Sequence, residues 1–280
     1  MRTLVQPGPV HPRRIEWLRD TPRALRYALP AGATLNEALT GPLVEAGFQS
    51  GTVVFKGAAL SPFRYVMPGP ADGPGHVAYF SAPRAPEGVT VIEQANATFG
   101  RADGKPSVHC HAVWTEPDGR RRGGHILPGE TILSAAAKAE AWGFAGIRME
   151  AAADAETNFR LFQPSGISVP DAAGIVARVK PNEDIITAVE AICRDSGVRE
   201  AVIRGSLGSL VGARFTGGGR VDDHATEVLV RGGHVRDGVA ELDLLVVDMQ
   251  GEVHAGWLER GRNPVCITFD LVLEIVPRGT

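Results

Sequence analysis

VHCHAVWTEPDGRRRGGHIL, residues 108–127, alternates apolar and polar side chains, breaks at Glu116-Pro117-Asp118-Gly119, and then alternates again. That is the pattern of two antiparallel strands joined by a short loop. Proline suits the second position of a type I turn, and the glycine that follows takes the left-handed conformation closing a three-residue loop. With Glu116 opposite Arg120, equal counts back from the loop set His125 directly across from His111. Residues i and i+2 of a strand share a face, so His109 and His111 project together and Cys110 points away into a core. Cross-strand neighbours lie ~5 Å apart at Cβ and diagonal ones within ~8 Å. Three imidazoles therefore gather on one face.

Three neutral imidazoles around one point form a nitrogen-donor site with at least one position left open. This is the catalytic zinc pattern rather than the closed structural one. Zinc is the expected ion, while nickel, cobalt, copper or iron(II) suit the same donors. The rival reading is three histidines hydrogen-bonded in a hairpin without metal. Gly123, two residues before His125, adds no side chain and is expected to leave room for water or a ligand. Arg121 shares the nominal metal face and is the candidate to hold a carboxylate or phosphate beside the ion. Its neighbours Arg120 and Arg122 complete a basic run read mainly as a solvated hairpin tip. Glu93 and Asn96, on the preceding strand, read as outward-facing polar residues, with a role beside the histidines as the alternative.

Outward from the hairpin, the chain repeats itself weakly but in order. RYALPAGATLNEALTGPLVEAGFQSGTVVFKGAALS (26–61) and VARVKPNEDIITAVEAICRDSGVREAVIRGSLGS (176–209) each hold a strand, a Pro-containing turn and an amphipathic helix. The helices begin near Thr34–Glu37 or Glu183–Asp184 and end at Gly47 or Gly197, where a C-terminal cap is expected. An apolar strand then runs into Lys56-Gly57 or Arg204-Gly205, read as a shared turn. A second hairpin, AELDLLVVDMQGEVHAGWL (240–258), parallels the first. Without a gap, Glu241, Asp243 and Trp257 fall where the three histidines stood; keeping the Asp-Gly pairs 103–104 and 237–238 in register gives Asp243 and Leu245 instead, and either way the triad is missing from the second unit. ILSAAAKAEAW (132–142) is helical by intrinsic preference, but its place after the hairpin argues for a strand.

Composition narrows the classes. Hydrophobic residues make up 44% and charged residues 22%, which is globular rather than disordered. Twenty-nine basic against thirty-two acidic side chains leave a net charge of −3, the wrong sign for affinity resting on phosphate neutralisation. Cys110, Cys193 and Cys266 are too few and too scattered for a disulfide framework or a cysteine-rich zinc site, so a reducing cytoplasm is expected. Prolines at 7, 9 and 12 interrupt any signal peptide, and no apolar run approaches a membrane span. A P-loop, a dinucleotide-binding glycine pattern and a Gly-x-Ser-x-Gly elbow are all absent.

GKPSVHCHAVWTEPDGRRRGGHILPG, 104–129, combines a Gly-x-Pro, a His-x-His and a Gly-Gly-His-Ile. It closely resembles the signature of the PPC (plant and prokaryote conserved) domain, with Ile126 in place of the usual Leu. The resemblance runs over roughly 25–165 and includes VTVIEQANATFG before the signature. It implies an α+β domain with a mainly antiparallel sheet of about seven strands and flanking helices. It further implies assembly as a trimer, and a metal, zinc first, on His109, His111 and His125 near a subunit interface. The expected organisation is an N-terminal extension (1–24), a PPC domain with the intact triad (25–165), a linker (166–172) and a degenerate PPC-like domain without metal ligands (173–280).

Three functions are expected from this reading. The first is a cytoplasmic, homo-oligomeric metal-binding protein with a small molecule at the open position, a candidate hydrolase or lyase acting on a small anionic substrate. The second is a DNA-associated regulator, because plant members carry AT-hooks and bacterial members often bear that label. Glu259-Arg260-Gly261-Arg262-Asn263-Pro264 lacks the Arg-Gly-Arg-Pro centre of such a hook and reads as a structural turn. The third is a ligand-sensing or assembly module whose metal only fixes packing.

Overall fold

The structure, a computed structural model, describes residues 2–276. Two mainly antiparallel sheets lie face to face, each covered on its outer side by one helix, an α+β arrangement. The first sheet runs in the order Arg23–Leu29, Ala137–Phe144, Ser50–Phe55, Thr90–Ala102, Lys105–Thr115, Arg121–Ile126, Tyr65–Val66. The second runs Ile15–Asp20, Gly174–Val179, Val265–Ile275, Ala201–Leu210, Thr226–Arg236, Val239–Val247, Val253–Trp257. From Arg23–Leu29 and from Gly174–Val179 onward, six strands follow the same spatial order in both sheets.

Local chemistry accounts for the helices. Thr34 caps Leu35–Glu45 by accepting from the Glu37 N–H, while the Glu37 carboxylate accepts from the Thr34 N–H. Asp184 caps Ile185–Ser196 by accepting from the Thr187 N–H, and Gly197 closes that helix with φ 72°. The apolar stripes of both helices seal the outer sheet faces. Leu35, Leu39 and Leu43 pack with Cys110, Ala112 and Trp114, and Ile185, Val189 and Ile192 pack with Val228, Val230 and Leu244.

The Ala-rich stretch is a strand from Ala137 onward, while Ser134 and Ala135 bend. Ala137–Phe144 pairs on both sides, with Arg23–Leu29 and with Ser50–Phe55. Ala139 and Ala141 sit under the first helix, where small side chains allow close packing, and this burial overrides the helical preference of alanine. The expected Arg204-Gly205 turn is corrected. Both residues lie inside the continuous strand Ala201–Leu210, at a bulge between Arg204 and Leu207 where Gly205 takes φ 44°. Absence of a side chain at Gly205 admits Thr52 of the first sheet, whose Oγ1 donates to the Gly205 carbonyl at 2.7 Å.

Residues of the N-terminal segment belong to the second sheet. Ile15–Asp20 forms its edge, antiparallel to Gly174–Val179, and the Gln6 amide donates to the Cys266 carbonyl. Only Thr21 and Pro22 then separate this strand from the first strand of the other sheet.

Alternation on each strand decides what lies between the sheets. Val113 of the first packs against Leu207, Leu229, Leu245 and Val247 of the second. Trp142, Phe144 and Met149 meet Val176 and Val272 further along. Asn96 is fully buried here rather than outward-facing. Its amide donates to the carbonyls of Ser206 (2.9 Å) and Val230 (2.8 Å), pinning two strands of the opposite sheet.

Candidate metal centre

The hairpin folds as its residues demand. The Glu116 N–H donates to the Arg120 carbonyl at 2.8 Å, the Gly119 N–H donates to the Glu116 carbonyl, and Gly119 takes φ 84°. This register sets His125 against His111. The three rings converge, with centroids 4.6 Å (His109–His111), 5.0 Å (His109–His125) and 5.4 Å (His111–His125) apart. One ligating nitrogen from each falls within 4.8 Å of the others.

The ring orientations come from the second sheet. His111 Nδ1 lies 2.9 Å from the Val228 carbonyl, and His109 Nδ1 lies 3.4 Å from Asp270 Oδ2. Both are acceptors, so each places the ring proton on Nδ1 and turns the Nε2 lone pair inward. The two Nε2 atoms then face each other at 2.9 Å. Lone pairs at that separation repel unless a proton or a cation lies between them. Metal–nitrogen bonds of ~2.0–2.1 Å in tetrahedral geometry bring ligand nitrogens to roughly 3.3 Å, near the separation of the His109 and His111 pair. Glu227 of the second sheet adds a carboxylate oxygen 2.6 Å from His111 Nε2. His125 Nδ1 is buried with no hydrogen-bond partner. A proton on His111 satisfies the Glu227 contact but leaves the His125 nitrogen unpaired, whereas a divalent ion would take one nitrogen from each ring with Glu227 beside it. The residues present fit the group.

Electrostatics follow the same division. Burial drives the His109 imidazole down to about 3, with the neighbouring His111 adding to the effect, and holds His125 well below its ordinary value. Both are therefore neutral, as ligands must be. Burial also pulls His111 down, but the Glu227 carboxylate outweighs it and holds this imidazole above its usual range. In return, His111 overcomes the burial penalty on Glu227 and keeps that carboxyl low. Asp270 is pushed up to about 6 by burial, moderated by Arg178 and Thr98.

A cavity of about 60 Å³ opens beside the rings of His109 and His111 and reaches Glu227. It lies between the sheets. Gly123 does not contribute room to it, which corrects the expectation above. A Cβ on Gly123 would come 2.4 Å from Val247 Cγ2, so its bare backbone admits the second sheet rather than a ligand.

Arg121 does not line this cavity. Its guanidinium forms two hydrogen bonds to Glu93, at 2.7 and 2.8 Å, on the exposed hairpin tip. Arg120 pairs with Asp118 and Arg122 with Glu252, so the whole basic run is matched by carboxylates. Glu93 thus partners an arginine, and Asn96 the second sheet, rather than the imidazoles. His254, short of the third ligand position in the second hairpin, pairs with Asp248 at 2.8 Å, and Asp243 pairs with Arg231. Asp243 and Trp257 do face each other across that hairpin as His111 and His125 do across the first.

Glu227 and Asp270 were not singled out by sequence. Their signal was faint: each is an acid on a strand whose two faces are otherwise mostly apolar, TEVLV and ITFDLVL. An acid at such a position is buried and needs a partner.

No family model matches the chain, and no curated protein matches it. Among solved structures it is similar to a metal-containing protein from Archaeoglobus fulgidus at 18% identity and TM-score 0.43, over 53% of this chain and 98% of that one. A plant- and prokaryote-conserved (PPC) protein from Pyrococcus horikoshii aligns at 16% identity and TM-score 0.41, over 50% of this chain and 91% of its own. A hypothetical protein from Salmonella enterica aligns at 15% identity and TM-score 0.41, over 52% and 96%.

Proposed function

We propose that this chain is a PPC-type metal-binding protein in which His109, His111 and His125 hold one divalent transition ion, zinc first, with a small molecule at the position they leave open. The observation that carries this is the pair of inward-facing Nε2 atoms at 2.9 Å, with a buried carboxylate on one side and an unpartnered imidazole nitrogen on the other. Bound there, such an ion polarises a carbonyl or acidifies water, which is the chemistry of a hydrolase or lyase. The chain's own residues do the rest. Asp270 and the Val228 carbonyl hold the ring protons on Nδ1, and Glu227 Oε2, on the cavity wall, accepts and returns a proton. Beyond the rings, the apolar contacts of Val113 with the second sheet close the space between the sheets.

The shared strand order of the two sheets and the Asp243–Trp257 pairing support a tandem of PPC-like units with the ligands lost from the second. In this reading the second unit has become the lid of the first unit's centre. The boundaries proposed are 25–165 and 173–280, joined by 166–172. Assembly as a homo-oligomer, trimeric by resemblance, and a cytoplasmic setting belong to the same proposal. Among the described residues no helix is long and apolar enough to cross a membrane.

One rival has an observation in its favour. Every partner that orients the imidazoles comes from the opposite sheet, so an ion here would also tie the sheets together, as an assembly role requires. The DNA-associated reading has less to stand on, since the net charge is −3 and the Arg120–Arg122 run is already paired. Elemental analysis of the purified protein tests the proposal. About one equivalent of transition metal is expected, falling to none in His111→Ala. Equal metal content in the two proteins would end it. Light scattering tests the assembly number.

A further inference from the structure

We infer that the ligand of this centre is a small molecule with an apolar body about the size of one aromatic ring and a single polar head bearing at most one negative charge, such as an aryl or branched monocarboxylate. The inference rests on the metal-binding reading above and adds the class of molecule that reaches the ion.

The cavity wall argues for the body. Tyr79, Phe80, Phe159 and Leu161 line it together with Ile267 of the second sheet and Ala225, the residue before the strand Thr226–Arg236. The rings of Tyr79 and Phe159 stack at 5.5 Å, Phe80 meets Phe159 edge to face at 6.1 Å, and Phe80 lies 5.1 Å from the His125 ring. The aromatic wall thus runs directly up to the imidazoles. Burial of apolar surface against it is favourable for a body of matching size and is wasted on a fully polar one.

The polar groups argue for the head. No lysine or arginine lines the cavity, so one negative charge can be met at the ion but a second finds no cation. The serine and threonine hydroxyls of the wall are each engaged once. Ser209 Oγ accepts from the Ile267 N–H at 3.0 Å, Thr226 donates to the Leu210 carbonyl at 3.1 Å, and Thr268 Oγ1 accepts from Arg178 at 3.2 Å. A sugar or polyol would find only the Tyr79 hydroxyl and the remaining capacity of these three groups, against a wall that is otherwise mostly apolar. Polar recognition is concentrated at the histidines and Glu227, at the inner end of an apolar slot. This replaces a generally anionic substrate by one with a single head and an apolar tail, and removes Arg121 from its recognition.

Cobalt-substituted protein provides the test, with benzoate, acetate and succinate as probes read through the visible cobalt bands. Benzoate is expected to perturb the bands at a concentration about tenfold or more below that needed for acetate, with succinate no better than acetate. Phe159→Ala should bring benzoate to within about threefold of acetate while the ligand-free spectrum stays unchanged. The wild-type series stands without that variant should it fold poorly. Equal response to benzoate and acetate, or a tighter response to succinate, would overturn the inference while leaving the metal site intact. Failure of the wild-type protein to take up cobalt would instead overturn the metal-binding reading and this inference with it.

Discussion

Placing one methyl group on Gly123 tests whether the approach of the second sheet builds the centre. Its Cβ would stand 2.4 Å from Val247 Cγ2 and 3.0 Å from the Ala112 carbonyl oxygen. Ordinary carbon contacts lie at ~3.5–4.0 Å, so Gly123→Ala must displace Val247 or separate the sheets, at a cost of about 1–3 kcal/mol. Val247→Ala alone removes two carbons from a fully buried cluster with Val113, Leu207, Leu229 and Leu245. At ~0.8 kcal/mol for each carbon plus a term for the space left behind, it costs about 2–3 kcal/mol. In the double variant the new methyl occupies part of that space, so the two losses should sum to about 1–2 kcal/mol more than the loss observed. The remaining 3.0 Å approach to Ala112 prevents full recovery. Urea unfolding of the four metal-free proteins measures the coupling. Chelator competition gives a second readout: His125 follows two residues later on the same face, so Gly123→Ala should weaken metal binding about tenfold, with partial return in the double variant. Losses that add to within ~0.5 kcal/mol, together with unaltered metal affinity, would refute the argument that sheet docking sets the site.

Asp270→Asn should stabilise the metal-free protein at pH 7. Its folded value of about 6, against ~3.9 unfolded, represents a penalty that grows from pH 4 to 6 and amounts to about 3 kcal/mol above that. The same substitution should weaken metal binding roughly 10–100-fold, because the His109 ring exchanges a charged carboxylate acceptor for a neutral amide. Acid titration of the metal-free protein should show stability falling below pH ~6.5. There the unfolded chain protonates histidines that His109, down at about 3, and His125 decline to protonate when folded. The low Glu227 carboxyl adds stability that is lost only as pH drops through its own folded value, whereas the raised His111 contributes in the opposite sense, losing its stabilisation as pH rises. His109→Gln should flatten the acid limb, and an unchanged slope would contradict the assignment. Gly119→Ala, at φ 84°, should cost about 1–2 kcal/mol in urea unfolding while metal affinity holds, because the strain lies at the loop and not in the register.

What sequence reveals here tracks how local the determinants are. His109, His111 and His125 share one hairpin whose loop residues dictate its register, so their convergence follows from counting. The helix caps Thr34 and Asp184 are equally local. Glu227 and Asp270 lie more than a hundred residues away, and only the docking of two sheets brings them to the imidazoles. The same docking reversed the meaning of Gly123, whose missing side chain looks like space until Val247 is seen to fill it. It also turned Arg204-Gly205 from a turn into a bulge pressed on Thr52. Arg121 sits on the nominal metal face by parity, but parity says nothing of reach, and Glu93 is nearer.

The placement of Ile15–Asp20 at the edge of the second sheet, two residues before the first sheet begins, has a mechanical outcome. The polypeptide crosses between the halves twice, once at Thr21-Pro22 and again before Gly174. Bodies strapped at two points have lost most of their freedom to swing open, as a door hung on two hinges turns about a single line. Cargo for the buried ion must therefore arrive through the slot itself, and a gene cut after residue 166 would strip one half of its border strand rather than yield two working pieces.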